Sequence, residues 1–85
     1  MKSFEYIIKD PLGVHARPAG LLVKKSSSYS SAIQIRKDDK CSDAKRIFAI
    51  MSMGIKCNDK ITVEISGDDE EKAASDLAEF FEENL

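Results

Sequence analysis

The 85-residue sequence predicts an α+β fold: an open-faced β-sandwich in the order β-α-β-β-α-β-α, with a four-stranded antiparallel sheet and three helices on one face. Three observations carry this. Apolar residues alternate with polar ones in separate short segments: Phe4, Tyr6 and Ile8; Ile33 and Ile35; Ile61, Val63 and Ile65. Apolar residues at helical spacing fill the stretches between and after them. The two middle strands are parted only by Asp38-Asp39, a hairpin spacing, so the sheet is expected to be antiparallel with helices layered on one side. Periodicity defines the layers and leaves the strand order open.

Each element has its own signal. The first strand is expected over roughly residues 2–9, with Ile7 interrupting the alternation, and Pro11 and Gly13 end it. Ala16, Ala19, Leu22 and Val23 predict a helix from Ala16 to about Lys25, and Pro18 suits its first turn, where amides lack intrahelical partners. The Ser-rich stretch Ser26–Ser31 reads as a helix end and turn. Strands at Ala32–Lys37 and Lys40–Asp43 follow. Ile47, Ile50 and Met51 share one face of a short helix, with Gly54 placed as its C-terminal cap. Ile61–Ser66 is the clearest strand. Asp68 and Glu71 have capping-box spacing, and Ala74, Leu77, Ala78 and Phe81 form the expected stripe of the last helix, with Phe80 beside it.

Composition narrows the functional classes. A chain of this length supports one hydrophobic core, so residues 1–85 are expected to form a single domain. Its 13 basic against 15 acidic residues argue against a general binder of nucleic acid or anionic membranes. The longest apolar runs are far shorter than a membrane span, and Lys9-Asp10 follow Ile7-Ile8 too closely for a signal peptide. Cys41 and Cys57 are the only cysteines, lack Cys-x-x-Cys spacing and accompany a single histidine. They are expected to be free thiols of a cytoplasmic protein, with no metal site and no cofactor.

The chemistry concentrates in Gly13-Val14-His15-Ala16-Arg17-Pro18-Ala19. His15 falls where the chain leaves a turn and enters the first helix. At the N-cap position its ring would lie beside the free amides of Ala16 and Arg17, at the positive end of the helix dipole. Arg17 adds a permanently charged fork that matches phosphate oxygens. A neutral imidazole offers one unprotonated nitrogen as a nucleophile, and a phosphoryl group on it would sit among these donors. No Gly-rich phosphate loop, Walker lysine or carboxylate cluster accompanies it, so the segment can accept a phosphoryl group without binding a nucleotide. On spacing alone, a lone histidine beside a helix start is more usually a surface residue or a neutral cap.

The same segment resembles the Gly-Leu-His-Ala-Arg-Pro-Ala signature of the HPr family, the histidine-containing phosphocarriers of the bacterial sugar phosphotransferase system. Ile47-Phe48-Ala49-Ile50-Met51-Ser52-Met53-Gly54 is similar to the family's second-helix motif, and Ile61–Ser66 with Gly67-Asp68 to its last strand and turn. The resemblance implies that His15 takes a phosphoryl group on Nδ1 from phosphorylated enzyme I, originally from phosphoenolpyruvate, and passes it to EIIA domains of sugar permeases. It implies stabilisation of the phosphate by Arg17 and the Ala16 amide. Such a protein is a substrate of phosphotransferases and not an enzyme, and is expected to be a monomer. The family often has a serine, modified by an ATP-dependent kinase, where this chain has Arg46; Ser42 and Ser52 are its neighbours.

The resemblance also places a docking surface on the second helix and the start of the first. Its expected members here are Gly20, Lys24, Arg46, Ile47, Phe48 and Met51. For Ile47 and Met51 core packing is an equal reading; Gly20 serves either a partner or internal packing. Lys24, Lys25, Arg17 and Arg46 form either a basic rim or solvated helix faces. Two other functions compete: a paralogue in a regulatory, nitrogen-type phosphorelay, and a sheet-based RNA-binding module. The latter needs aromatics on the open strands, and Ala32–Lys37 and Ile61–Ser66 have none.

Overall fold

The computed structural model describes residues 1–85. Its elements are β1 (Lys2–Ile7), α1 (Ala16–Ser27), β2 (Ala32–Lys37), β3 (Lys40–Asp43), α2 (Ile47–Met51), β4 (Lys60–Ser66) and α3 (Glu70–Asn84). The strands form one antiparallel sheet in the order β1-β4-β2-β3. β4 thus enters between β1 and β2, into the gap that the α1 crossover leaves open. Its central place explains its clean alternation: Ile61, Val63 and Ile65 are fully buried under the helices. Opposite them, Phe4 pairs with Val63, Tyr6 with Ile61, Ile33 with Ile65 and Ile35 with Val63, which sets all these side chains on the helix face.

The end of β1 differs from its sequence pattern for a clear reason. Ile7 points out and is half-exposed, while Ile8 is fully buried. Ile8 leaves the ladder to bond with the loop before β4: its amide donates to Asp59 and its carbonyl accepts from Asn58. Helix α1 runs two residues beyond the expected end, and Ser28 closes it, its amide donating to the Lys25 carbonyl and the Tyr29 amide to that of Ser26.

Two expectations for α3 are corrected. The buried stripe is Ala73, Leu77, Phe80 and Phe81. Ala74 only packs at its edge and Ala78 is half-buried, so the stripe is rotated towards Ala73 and Phe80. The capping box on Asp68 and Glu71 does not form. Asp69 is the N-cap and makes no side-chain bond to its own helix. Its carboxylate instead accepts from the Ser30 and Ser31 amides and the Ser31 hydroxyl, while Glu70 accepts from the Gly67 amide at 3.1 Å. A long-range clamp replaces the local cap. Gly67, at φ +155°, makes this possible, because a Cβ there would lie 2.6 Å from the Ser31 Cα.

Phe81 anchors α3 on the sheet. It meets Phe4, Tyr6 and Phe80 edge-on at centroid distances of 5.8, 5.5 and 6.0 Å. Burying such a ring contributes roughly 1.5–3 kcal/mol, and each aromatic pair about 0.5–1.5 kcal/mol more. The same core takes Ala19 and Leu22 from α1 and Ile50 from α2. These contacts fix α1, and with it the loop from Lys9 to His15.

Candidate functional site

The loop that carries His15 is held at both ends. The Lys9 and Asp10 amides donate to the Leu85 carbonyl at 2.6 and 2.8 Å, and the Val14 amide donates to Ile55 at 3.1 Å. Between them, the Gly13 amide donates to the Asp10 carbonyl at 2.9 Å, closing a four-residue turn. Gly13 adopts φ +68° and lies against the Ile55 carbonyl and the Lys56 Cα, where any side chain would collide. The chain can therefore pass close over the loop before β4 and then turn sharply into α1.

His15 is the N-cap of α1, with extended backbone (φ −89°, ψ −178°). Its carbonyl accepts the first helical bond, from Ala19 at 3.0 Å. The amides of Ala16 and Arg17 have no acceptor within the protein, and Pro18 has no amide to offer. Pro18 is buried and secures the first turn from below. The His15 ring is about one-third exposed, and Arg17 is exposed with no ion pair. A twelve-residue helix thus directs free donors and its positive end towards a histidine partly open to solvent.

One residue at this site escaped the sequence reading. Asp10 Oδ2 lies 3.4 Å from His15 Nε2, a charge contact longer than a good hydrogen bond. The other oxygen, Oδ1, accepts from the Leu12 amide at 2.8 Å. The signal was present: Asp-Pro-x-Gly is the residue preference of a type I turn, and such a turn fixes where its first side chain points.

Beside α1 lies α2. A Cβ on Gly20 would meet only the Ile47 Cδ1, at an ordinary 3.9 Å, so Gly20 lies along the seam without being crowded. Ile50 is fully buried, Ile47 is half-buried, and Met51 is 41% and Phe48 84% exposed. The short helix thus divides its apolar residues between core and solvent. Leu12 and Leu21, not singled out from sequence, are also exposed. Arg46 is the exposed N-cap of α2 and forms no ion pair. Asp43 accepts from the Lys45 amide at 2.8 Å, making its own turn.

The basic rim is divided. Lys24 and Lys25 line an open groove of about 470 Å³ between α1 and α3, together with Asp76, Glu79 and Glu83. None of His15, Ala16 and Arg17 borders that groove. On the open face of the sheet, Gln34, Arg36, Thr62 and Glu64 stand where an RNA binder would need aromatics. No helix is long and apolar enough to cross a membrane.

Comparison with known proteins covers nearly the whole chain. A family model described as "PTS HPr component phosphorylation site" matches residues 2–83. The phosphocarrier protein HPr of Lysinibacillus sphaericus is 38% identical over 78 residues, covering 92% of this chain and 89% of that protein. Among solved structures, HPr of Thermoanaerobacter tengcongensis superposes with a TM-score of 0.94 at 40% identity, covering 99% and 94% of the two chains. A structure described as an HPr dimer from the same organism gives a TM-score of 0.77 at 41% identity, covering 98% and 95%.

Proposed function

Because this chain belongs to the HPr family, the phosphocarriers of the phosphotransferase system, we propose that His15 is its phosphoryl acceptor, through Nδ1. The protein is a carrier that phosphotransferase-system proteins load and unload, not an enzyme. One observation carries the assignment of the site: His15 caps α1 while the Ala16 and Arg17 amides beside it stay uncommitted. The Nδ1 lone pair attacks phosphorus, and charge spreads over the phosphoryl oxygens as the donor's bond breaks. The Ala16 amide, the helix dipole and the Arg17 guanidinium meet that charge with donors that need little rearrangement.

Enzyme I is the proposed donor and the EIIA domains the acceptors. The docking surface consists of Gly20, Lys24, Arg46, Ile47, Phe48 and Met51. Exposed Phe48 and Met51 next to the α1–α2 seam support it, as an aromatic anchor with an apolar neighbour suits a small transient interface. Residues 1–85 act as one cytoplasmic, monomeric unit in this reading, which leaves that surface free. Incubation with phosphoenolpyruvate and enzyme I should place an acid-labile phosphate on His15, and His15→Ala should abolish it with the fold retained. Normal phosphorylation of that variant would refute the assignment.

A further inference from the structure

We propose that Asp10 is a positioning residue for His15, whose carboxylate keeps the ring proton on Nε2 and so leaves Nδ1 free as the nucleophile. This rests on the reading of His15 as phosphoryl acceptor. The carboxylate is placed by the backbone, not by the ring. The Asp10 amide donates to the Leu85 carbonyl, its carbonyl accepts from Gly13, and Oδ1 accepts from Leu12. Pro11 restricts the second position of the turn. Three bonds therefore fix a side chain whose remaining oxygen, Oδ2, faces His15 Nε2 at 3.4 Å.

An ionised carboxylate accepts and never donates, so the ring nitrogen that faces it is the one favoured to carry hydrogen. Neutral imidazole has a single ring proton. Holding it on Nε2 exposes the Nδ1 lone pair on the side away from Asp10. Phosphorylation then needs no base: Nδ1 bonds to phosphorus, the donor's bond to phosphorus breaks with its electron pair, and the ring becomes a cation that retains Nε2–H. In the onward step the Nδ1–P bond breaks, its electrons return to Nδ1, and neutral imidazole leaves instead of an imidazolate. Asp10 faces the Nε2–H throughout and favours the cationic ring of the phosphorylated state.

Asp10→Asn tests the idea directly. Its carbonyl oxygen can still accept from Leu12, while its amide group offers a donor to Nε2 and so favours the opposite tautomer. Nitrogen-15 NMR of the unphosphorylated protein, at a pH where the ring is neutral, should show Nε2–H in the wild type and a shift towards Nδ1–H in Asp10→Asn. Phosphorylation by enzyme I should slow on the order of tenfold, a change of hydrogen-bond size, with an unchanged melting temperature. Asp10→Ser, which keeps a turn bond but is too short to reach the ring, should show mixed tautomers and serves if the Asn variant does not fold. Identical tautomer populations in wild type and folded variants would overturn the role of Asp10. A wild-type protein that takes no phosphate, with tautomers that still follow residue 10, would instead remove the acceptor reading and leave the positioning intact.

Discussion

The Tyr29 hydroxyl donates to the Asp76 carboxylate at 2.5 Å, joining residues 47 positions apart and fastening the end of α1 to the middle of α3. Asp69 makes the neighbouring tie, gripping Ser30 and Ser31 from the start of α3. Together they hold the helix layer over the sheet by polar contacts that depend on charge.

That dependence sets a pH window. The bonds from the Ser31 hydroxyl and the Ser30 amide pull the Asp69 carboxyl down to about 2, and the Tyr29 bond lowers that of Asp76. Both carboxyls are depressed on folding, so their stabilisation is complete above the unfolded value, about 4. It is lost as pH falls towards 2. Burial, then the Asp76 bond, pushes the Tyr29 phenol up to about 12. Its contribution is present below the unfolded value, about 10, and is lost as pH rises towards 12. Tyr29→Phe should lower the melting temperature by several degrees near neutrality and flatten the alkaline arm of the stability profile. An alkaline arm unchanged in that variant would assign it to other groups.

Gly13→Ala should destabilise the protein by at least about 1–2 kcal/mol, the cost of a left-handed backbone for an L-residue, before any collision with Ile55 and Lys56 is counted. Because the same turn aims Asp10 and His15, phosphorylation should slow as well. Denaturant unfolding and a phosphotransfer assay measure the two effects separately.

Arg17→Ala should leave stability nearly unchanged, since the side chain is exposed and unpaired. Loss of charge-assisted contacts to phosphate, about 1.5–3 kcal/mol, corresponds to roughly a 10- to 100-fold slower transfer. Quench-flow kinetics and the lifetime of the phosphohistidine check this; no change in either would make Arg17 a plain surface charge.

Phe48→Ala should cost less than about 0.5 kcal/mol of stability, because 84% of the residue is already in water. Affinity for enzyme I and EIIA should fall by about 2 kcal/mol if the ring is a central anchor. Calorimetric titration beside thermal unfolding gives the ranking, and the reverse order would exclude the docking role.

The ATP-dependent kinase that modifies a serine in other HPr proteins should leave this chain unmodified. Arg46 offers no hydroxyl to accept a phosphoryl group. The neighbouring serines are committed: Ser42 and Ser52 both donate to the Ala49 carbonyl, at 3.0 and 2.8 Å. Mass spectrometry after incubation with ATP and kinase should find neither phosphorylated. Arg46→Ser should weaken enzyme I binding and reduce its salt sensitivity, as loss of an exposed charge does.

Sequence alone determined the layers and the place of His15 at the start of α1, because both are local. Alternation in Ile61–Ser66 and helical spacing in Ala16–Val23 each follow from the backbone period. A lone histidine before Ala-Arg-Pro specifies an N-cap within a few residues of chain. Tertiary structure alone decided what depends on distant partners. It placed β4 between β1 and β2, because only hydrogen-bonded register selects a neighbour among similar strands. It replaced the capping box expected on Asp68 and Glu71 with a grip of Asp69 on Ser30 and Ser31, since a carboxylate takes the best donors within reach rather than the nearest in sequence. It also set Asp10 against His15, because the direction of that carboxylate follows from a turn held by Leu85, at the far end of the chain.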